Sequence, residues 1–160
     1  MLQSSCSWSS SLTFWTVILS IVILCGIGWL ILKHPEVKTY IIVAILLFVV
    51  CLILPIFSSP RKVQVSDENI TVKMVVFSYS IPVNEIEKVE PYEPSNGGIR
   101  VCGIGGFFGN IGWFKNEQLG KYLAFITDGS KSYVIYRKNQ IPVVVTADDG
   151  SIFQQFEKSN

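Results

Sequence analysis

Two long apolar runs without a charged residue lie in the first part of the chain, Leu12–Leu32 and Tyr40–Phe57. A helix rises about 1.5 Å per residue, so about 20 apolar residues match a hydrocarbon core roughly 30 Å thick. The seven residues between the runs, Lys33–Thr39, are mostly polar and include Pro35. The pair therefore predicts a two-helix transmembrane hairpin within residues 1–60, with both of its ends on the same side of a membrane.

The first run does not fit a cleaved signal peptide. Met1–Thr16 carries no Lys or Arg, and the apolar stretch exceeds the usual length of about 7–15 residues. Charge does not decide the orientation, because the two lysines of the short loop balance Arg61 and Lys62 on the other side. A lone cysteine after the runs, Cys102, favours a reducing compartment. We therefore expect an integral protein of the plasma (inner) membrane whose soluble domain is cytoplasmic.

Residues 61–160 have the composition of one small soluble domain. Eleven Lys or Arg residues balance eleven Asp or Glu residues there, so the charge does not favour a nucleic-acid partner. Short runs rich in β-branched and aromatic residues predict six or seven antiparallel strands.

Three local signals refine this prediction. The apolar alternation changes phase at Met74–Val76, which predicts a bulge or a tight turn. Asp128–Gly129 is typical of a hairpin turn. Near the end, Thr146 with Asp149 three residues later matches a helix start, so we expect one C-terminal helix whose aromatic side docks on the sheet.

The patterns of known chemical sites fit poorly. Gly103 and Gly105 begin a dinucleotide-like pattern, but Phe108 stands at the third glycine position. A phosphate-binding loop needs Ser or Thr after Gly-Lys, and Tyr122 stands there. The only histidine, His34, has no catalytic or ligand partner nearby, and the four cysteines lack CxxC spacing. We therefore predict no catalytic residue, no metal site and no cofactor, and we expect that the chain is not an enzyme.

An aromatic cluster is the remaining candidate for a functional surface. Its members are Phe107, Phe108, Trp113 and Phe114, beside several glycines. Four large aromatic side chains within eight residues predict a protruding contact site for a protein partner. Core packing and contact with lipid headgroups are the alternative interpretations.

The order of many strands followed by one helix resembles the pleckstrin-homology (PH) fold, and several stretches resemble a bacterial PH-like domain family that follows transmembrane hairpins. The resemblance covers residues 61–158, and its glycine–aromatic stretch is the most specific part. It is carried by Ser80–Val89, by Gly105–Phe114, and by Val145–Asp149 with Phe153. It implies a mainly-β, partly open antiparallel barrel over residues 61–160, capped by one C-terminal α-helix.

PH folds bind lipids, peptides or copies of themselves and are rarely catalytic. The resemblance therefore implies a non-catalytic, membrane-anchored binding or assembly module, whose partners are the bilayer and either another protein or a second copy. It does not extend to phosphoinositides, because Asp67 and Glu68 lie in the first hairpin, where phosphoinositide-binding PH domains have basic residues. An accessory subunit of a membrane transport or envelope complex and a membrane-bound enzyme are the alternatives.

Overall fold

One long apolar helix, two β-sheets and a short C-terminal helix are the main elements of the part of the chain that the structure, a computed structural model, describes. The described residues are 2–33, 39–40, 42–46, 48–49, 59–93, 98–104 and 109–157.

The helix, α1, runs from Ser10 to Lys33 and contains no charged residue before Lys33. Its segment Thr13–Leu30 has a mean hydropathy of 2.1 and only 6 % of it is buried in the protein. By length and composition it is the one helix among the described residues that qualifies to cross a membrane. Residues 39–40, 42–46 and 48–49, at the start of the second apolar run, are helical as well. Residues 34–38 of the predicted loop Lys33–Thr39 and residues 50–57 of the second run lie outside the described residues.

Among the described residues the two sheets contain ten strands, one of them N-terminal to α1. In the first sheet the spatial order is β1 (Leu2–Ser5), β2 (Pro60–Val65), β3 (Asn69–Met74) and β4 (Ser78–Pro82). In the second sheet the order is β5 (Ile86–Tyr92), β9 (Ser132–Arg137), β10 (Gln140–Thr146), β8 (Gly120–Ile126), β7 (Asn110–Asn116) and β6 (Ile99–Ile104).

The predicted partly open antiparallel barrel is wrong in two respects. No strand pair joins the two sheets within the described ranges, so they are open sheets that pack face to face over a shared core. β8 and β10 are parallel, with Val144 opposite Ala124. The described part of residues 60–146 also forms nine strands rather than six or seven.

The predicted hairpin at Asp128–Gly129 is wrong: these residues form a turn, but the strands on either side of it, β8 and β9, do not pair with each other. The Asp128 side chain accepts a hydrogen bond from the backbone N–H of Ser130, and a 3-10 turn follows over Gly129–Lys131. However, β9 pairs with β10 and β5, and β10 lies between β8 and β9. The three consecutive valines of β10, Val143–Val145, are fully buried, and a strand that is apolar on both faces is most stable at the centre of a sheet.

The phase change at residues 74–76 is confirmed as a tight turn. The backbone N–H of Met74 donates to the carbonyl oxygen of Phe77 at 2.9 Å, and Lys73 lies opposite Ser78 in the β3–β4 ladder. The turn reverses the chain, so that β4 also directs its apolar face into the core that contains Ile70 and Val72 of β3.

The C-terminal helix begins later than predicted. A 3-10 turn spans Gly150–Phe153, and the short helix α2 follows over Gln154–Glu157. Asp149 caps this segment by accepting from the backbone N–H of Ser151. Thr146 does not cap it, because this residue ends β10 and its hydroxyl accepts the backbone N–H of Thr127 at 3.0 Å. Phe153 is fully buried in the core between the sheets.

Candidate functional site at the junction of the apolar helix and the sheets

The residues before α1 extend the first sheet of the domain. β1 lies antiparallel to β2, with Leu2 opposite Val65 and Ser5 opposite Lys62. The ladder continues where the backbone N–H of Cys6 donates to the Arg61 carbonyl oxygen at 3.0 Å. Two serines and a glutamine make most of β1, and this composition gives no strand signal. Sequence reasoning therefore missed β1, because its pairing depends on the edge that β2 provides.

The chain leaves the sheets and returns to them at nearly the same point. The indole N–H of Trp8 donates to the Ser59 hydroxyl at 3.0 Å, and the backbone N–H of Ser9 donates to the Thr127 carbonyl oxygen at 3.3 Å. Helix α1 starts at the next residue, Ser10. The start and the end of the segment 10–59 are thus held side by side by hydrogen bonds.

Asp148 holds the N-terminal segment against the end of β10. Its carboxylate accepts from the Ser5 hydroxyl at 2.8 Å, from the Ser7 backbone N–H at 3.1 Å and from the Lys131 ammonium at 3.0 Å; the Ser7 hydroxyl is a further donor. Partial burial by itself raises the pKa of Asp148, but the hydrogen bonds from Ser7, Lys131 and Ser5 outweigh it and hold the pKa at about 2. The side chain is therefore ionised at neutral pH.

Cys6 is a buried thiol at the same junction. Its Sγ donates to the Thr146 carbonyl oxygen at 2.9 Å. Burial, with the nearby Asp148 charge as a smaller cause, raises the pKa of Cys6 to about 12. A thiol that stays protonated is a poor nucleophile and a poor metal ligand, so Cys6 contributes packing. Within the described ranges, no three His, Cys, Asp or Glu residues are grouped to hold a metal ion.

The four aromatic residues predicted as a contact site have different environments. Phe107 and Phe108 lie outside the described residues. Phe114 is only 5 % exposed and stacks on Tyr122 with ring centroids 6.0 Å apart, so it is a packing residue. Trp113 is half-buried against the core, and the Lys121 ammonium lies 4.9 Å from the centroid of its ring.

Strand β6, beside Trp113, ends the six-stranded sheet. Cys102 of β6 lies opposite Trp113 of β7, and both Cys102 and its neighbour Val101 are exposed. At the start of the strand Ile99 is 74 % exposed. An apolar edge strand is a place where a strand of another chain adds to a sheet. The structure therefore places Trp113 next to an apolar edge rather than in a protruding loop.

Two glycines of the glycine-rich stretch have a structural role. Gly103 and Gly112 are direct partners in the β6–β7 ladder, and their φ angles are +131° and +125°. A Cβ atom on Gly112 would lie 2.4 Å from the Cys102 carbonyl oxygen. Glycine is needed at both positions because side chains would clash with the facing backbone. The geometry of the strand pair therefore explains these two glycines, and a bound nucleotide is not needed to explain them.

Comparison with known proteins agrees with the mainly-β architecture. A family model described as Bacterial PH domain matches residues 61–160, which is more than half of the chain. No curated protein and no solved structure shows significant similarity to the chain. The family match covers both sheets except β1 and Pro60, and it includes the C-terminal turn and helix. The chain therefore belongs to the bacterial PH domain family.

Proposed function

We propose that this protein is a non-catalytic, membrane-anchored PH-like module that binds another protein or a second copy of itself. In this proposal α1 and the second apolar run form a transmembrane hairpin, and both sheets lie on the cytoplasmic face of the plasma (inner) membrane. The observation that carries the proposal is the contact between Trp8 and Ser59, which brings together the two ends of the apolar segment.

This contact requires an even number of membrane crossings. If α1 crosses the bilayer, Lys33 lies on the far side, and the chain must return before Ser59. The second apolar run, Tyr40–Phe57, would span roughly 27 Å as a helix, which is close to the thickness of one bilayer crossing. A hairpin is the simplest arrangement that keeps β1 paired with β2.

The side chains of α1 support the membrane assignment. Phe14 and Trp15 lie near its start, with ring centroids 6.0 Å apart, and Trp29 lies near its end. The Lys33 ammonium is 4.7 Å from the centroid of the Trp29 ring. Aromatic residues at both ends of an apolar helix and a lysine at its end are typical of membrane-spanning helices.

Cysteine labelling of intact cells with a membrane-impermeant maleimide tests the topology. We expect Cys102, which is exposed on β6, to be labelled only after the cells are permeabilised. In a Lys33→Cys variant with Cys102→Ser, we expect the new thiol to be labelled in intact cells, since it lies at the far end of α1. Labelling of both positions on the same side would rule out a crossing by α1. Labelling of Cys102 in intact cells would reverse the orientation.

A binding role is supported by the edge of the six-stranded sheet. The apolar side chains Ile99 and Val101 are exposed on β6, and Trp113 lies half-buried on the adjacent strand. Backbone groups along an edge strand give an added strand its hydrogen bonds, while neighbouring apolar and aromatic side chains give it contact area. We therefore propose this edge, centred on Trp113, as the contact surface for a protein partner or a second copy.

A Trp113→Ala variant tests this surface. We expect it to reduce co-purification of tagged and untagged copies, or of one specific partner, from detergent-solubilised membranes, because a large aromatic contact is lost. We also expect a smaller drop in melting temperature than for Phe125→Ala, because Phe125 is buried and Trp113 is half-buried. Phe125→Ala is expected to cost about 3–5 kcal/mol. An equal drop with unchanged co-purification would make Trp113 a core residue and end the proposal for this edge.

A further inference from the structure

The turn between β3 and β4 exposes three consecutive apolar side chains. Val75, Val76 and Phe77, called the β3–β4 tip below, are all exposed, and Val76 is 70 % exposed. Turns of this kind are usually polar, because water solvates their backbone and side chains. A contiguous exposed apolar group marks a surface that contacts protein or membrane.

The register of the first sheet places this tip beside the apolar segment of the chain. Met74, the last residue of β3, lies opposite Pro60, the first residue of β2. Ser59 precedes Pro60 and accepts the hydrogen bond from Trp8. The β3–β4 tip therefore projects from the end of the sheet at which α1 begins and the second apolar run ends.

Basic residues surround the same end of the sheet. Arg61, Lys62 and Lys73 are exposed, and Lys62 and Lys73 are direct cross-strand partners. Like charges opposite each other destabilise a sheet, and no carboxylate of the described residues forms an ion pair with them. The acidic residues of this sheet, Asp67 and Glu68, lie in the turn at the opposite end. The charge is thus divided along the sheet, with the positive end next to the apolar segment.

We propose that the β3–β4 tip inserts into the interfacial region of the bilayer and that Arg61, Lys62 and Lys73 contact anionic lipid headgroups. Apolar side chains buried at the headgroup boundary, together with basic residues near anionic lipids, are the two attractions that hold a surface element to a membrane. The contact would fix the tilt of the first sheet on the bilayer and does not require a pocket for one particular headgroup. This inference rests on the proposed membrane anchor.

Photocrosslinking in the full-length protein tests the insertion of the tip. A benzophenone amino acid is placed at Val76 and, as a matched control, at Glu68 in the turn at the other end of the same sheet. The protein is reconstituted into phosphatidylcholine vesicles that contain phosphatidylglycerol, and adducts are identified by mass spectrometry after irradiation. We expect lipid adducts when the probe is at Val76 and none when it is at Glu68.

The test of tip insertion is independent of the test of the membrane anchor. The anchor is tested by the resistance of the protein to alkaline extraction. Anchored protein without lipid adducts at Val76, or with protein adducts only, would overturn the insertion of the tip and leave the anchor intact. Protein released by alkaline extraction would overturn the proposed anchor itself.

The basic residues are tested in the same vesicles with and without phosphatidylglycerol. We expect the anionic lipid to raise the yield of lipid adducts at Val76 several-fold, and we expect a Lys62→Gln/Lys73→Gln double variant to lose this increase. Lys115→Gln, which removes an exposed lysine from the second sheet, is the control and should keep the increase. Equal yields in both vesicle compositions would overturn the assignment of these lysines to anionic headgroups.

Discussion

Phe153→Ala is expected to lower the free energy of unfolding by about 3–5 kcal/mol. The Phe153 side chain is fully buried between the sheets, and its ring packs on Tyr133 with centroids 5.0 Å apart. Removing the ring leaves a cavity and also detaches the C-terminal turn from the sheets. Denaturant unfolding of the full-length protein in detergent, followed by near-UV circular dichroism, measures the change.

Phe156→Ala is the matched control for this prediction. It removes the same ring from the same C-terminal segment, but Phe156 is only half-buried against the core. Less apolar area returns to water in the Phe156 variant, so its loss of stability should be clearly smaller. Equal losses would show that the C-terminal segment, rather than the core position of Phe153, determines the effect.

Asp148→Asn is expected to destabilise the fold by about 2 kcal/mol at neutral pH. The substitution keeps the shape of the side chain but removes the negative charge that accepts hydrogen bonds from Ser5, Ser7 and Lys131. Hydrogen bonds to a charged group contribute about 1.5–3 kcal/mol. Because these donors belong to the N-terminal segment and to the 3-10 turn before β9, the loss should loosen β1 first. Hydrogen exchange at the Ser4 and Cys6 amides, measured by mass spectrometry, should therefore increase more than exchange in β10.

The contribution of Asp148 also depends on pH in a defined direction. Its pKa is lowered from 3.8 to about 2 in the folded protein, so the unfolded state takes up the proton first. The stabilisation is fully present above about pH 4 and is lost as the pH falls through about 2. The stability difference between the wild type and Asp148→Asn should shrink over this range. The prediction fails if the stability difference between the wild type and Asp148→Asn stays constant down to pH 2.

The sequence predicted local features whose physical cause lies within a few residues. An uninterrupted apolar run is enough to predict α1, because backbone hydrogen bonds inside a helix satisfy themselves without any partner. The phase change at Met74–Val76 is a tight turn, because each face of a strand must keep to one environment. The resemblance to bacterial PH domains, carried by stretches such as Ser80–Val89, is confirmed by the family match over residues 61–160.

Tertiary structure decided which strands pair and which side chains become buried. β10 lies between β8 and β9 because its buried valines favour a central position in the sheet. The Asp128–Gly129 turn signal does not indicate whether β9 or β10 pairs with β8. Phe114 and Trp113 are adjacent in sequence, yet they occupy opposite faces of β7 with different burial. β1 depends on the open edge of β2 and on Asp148, both of which lie far from it in the sequence. Long-range pairing of this kind is a property of the assembled sheets, so local composition does not reveal it.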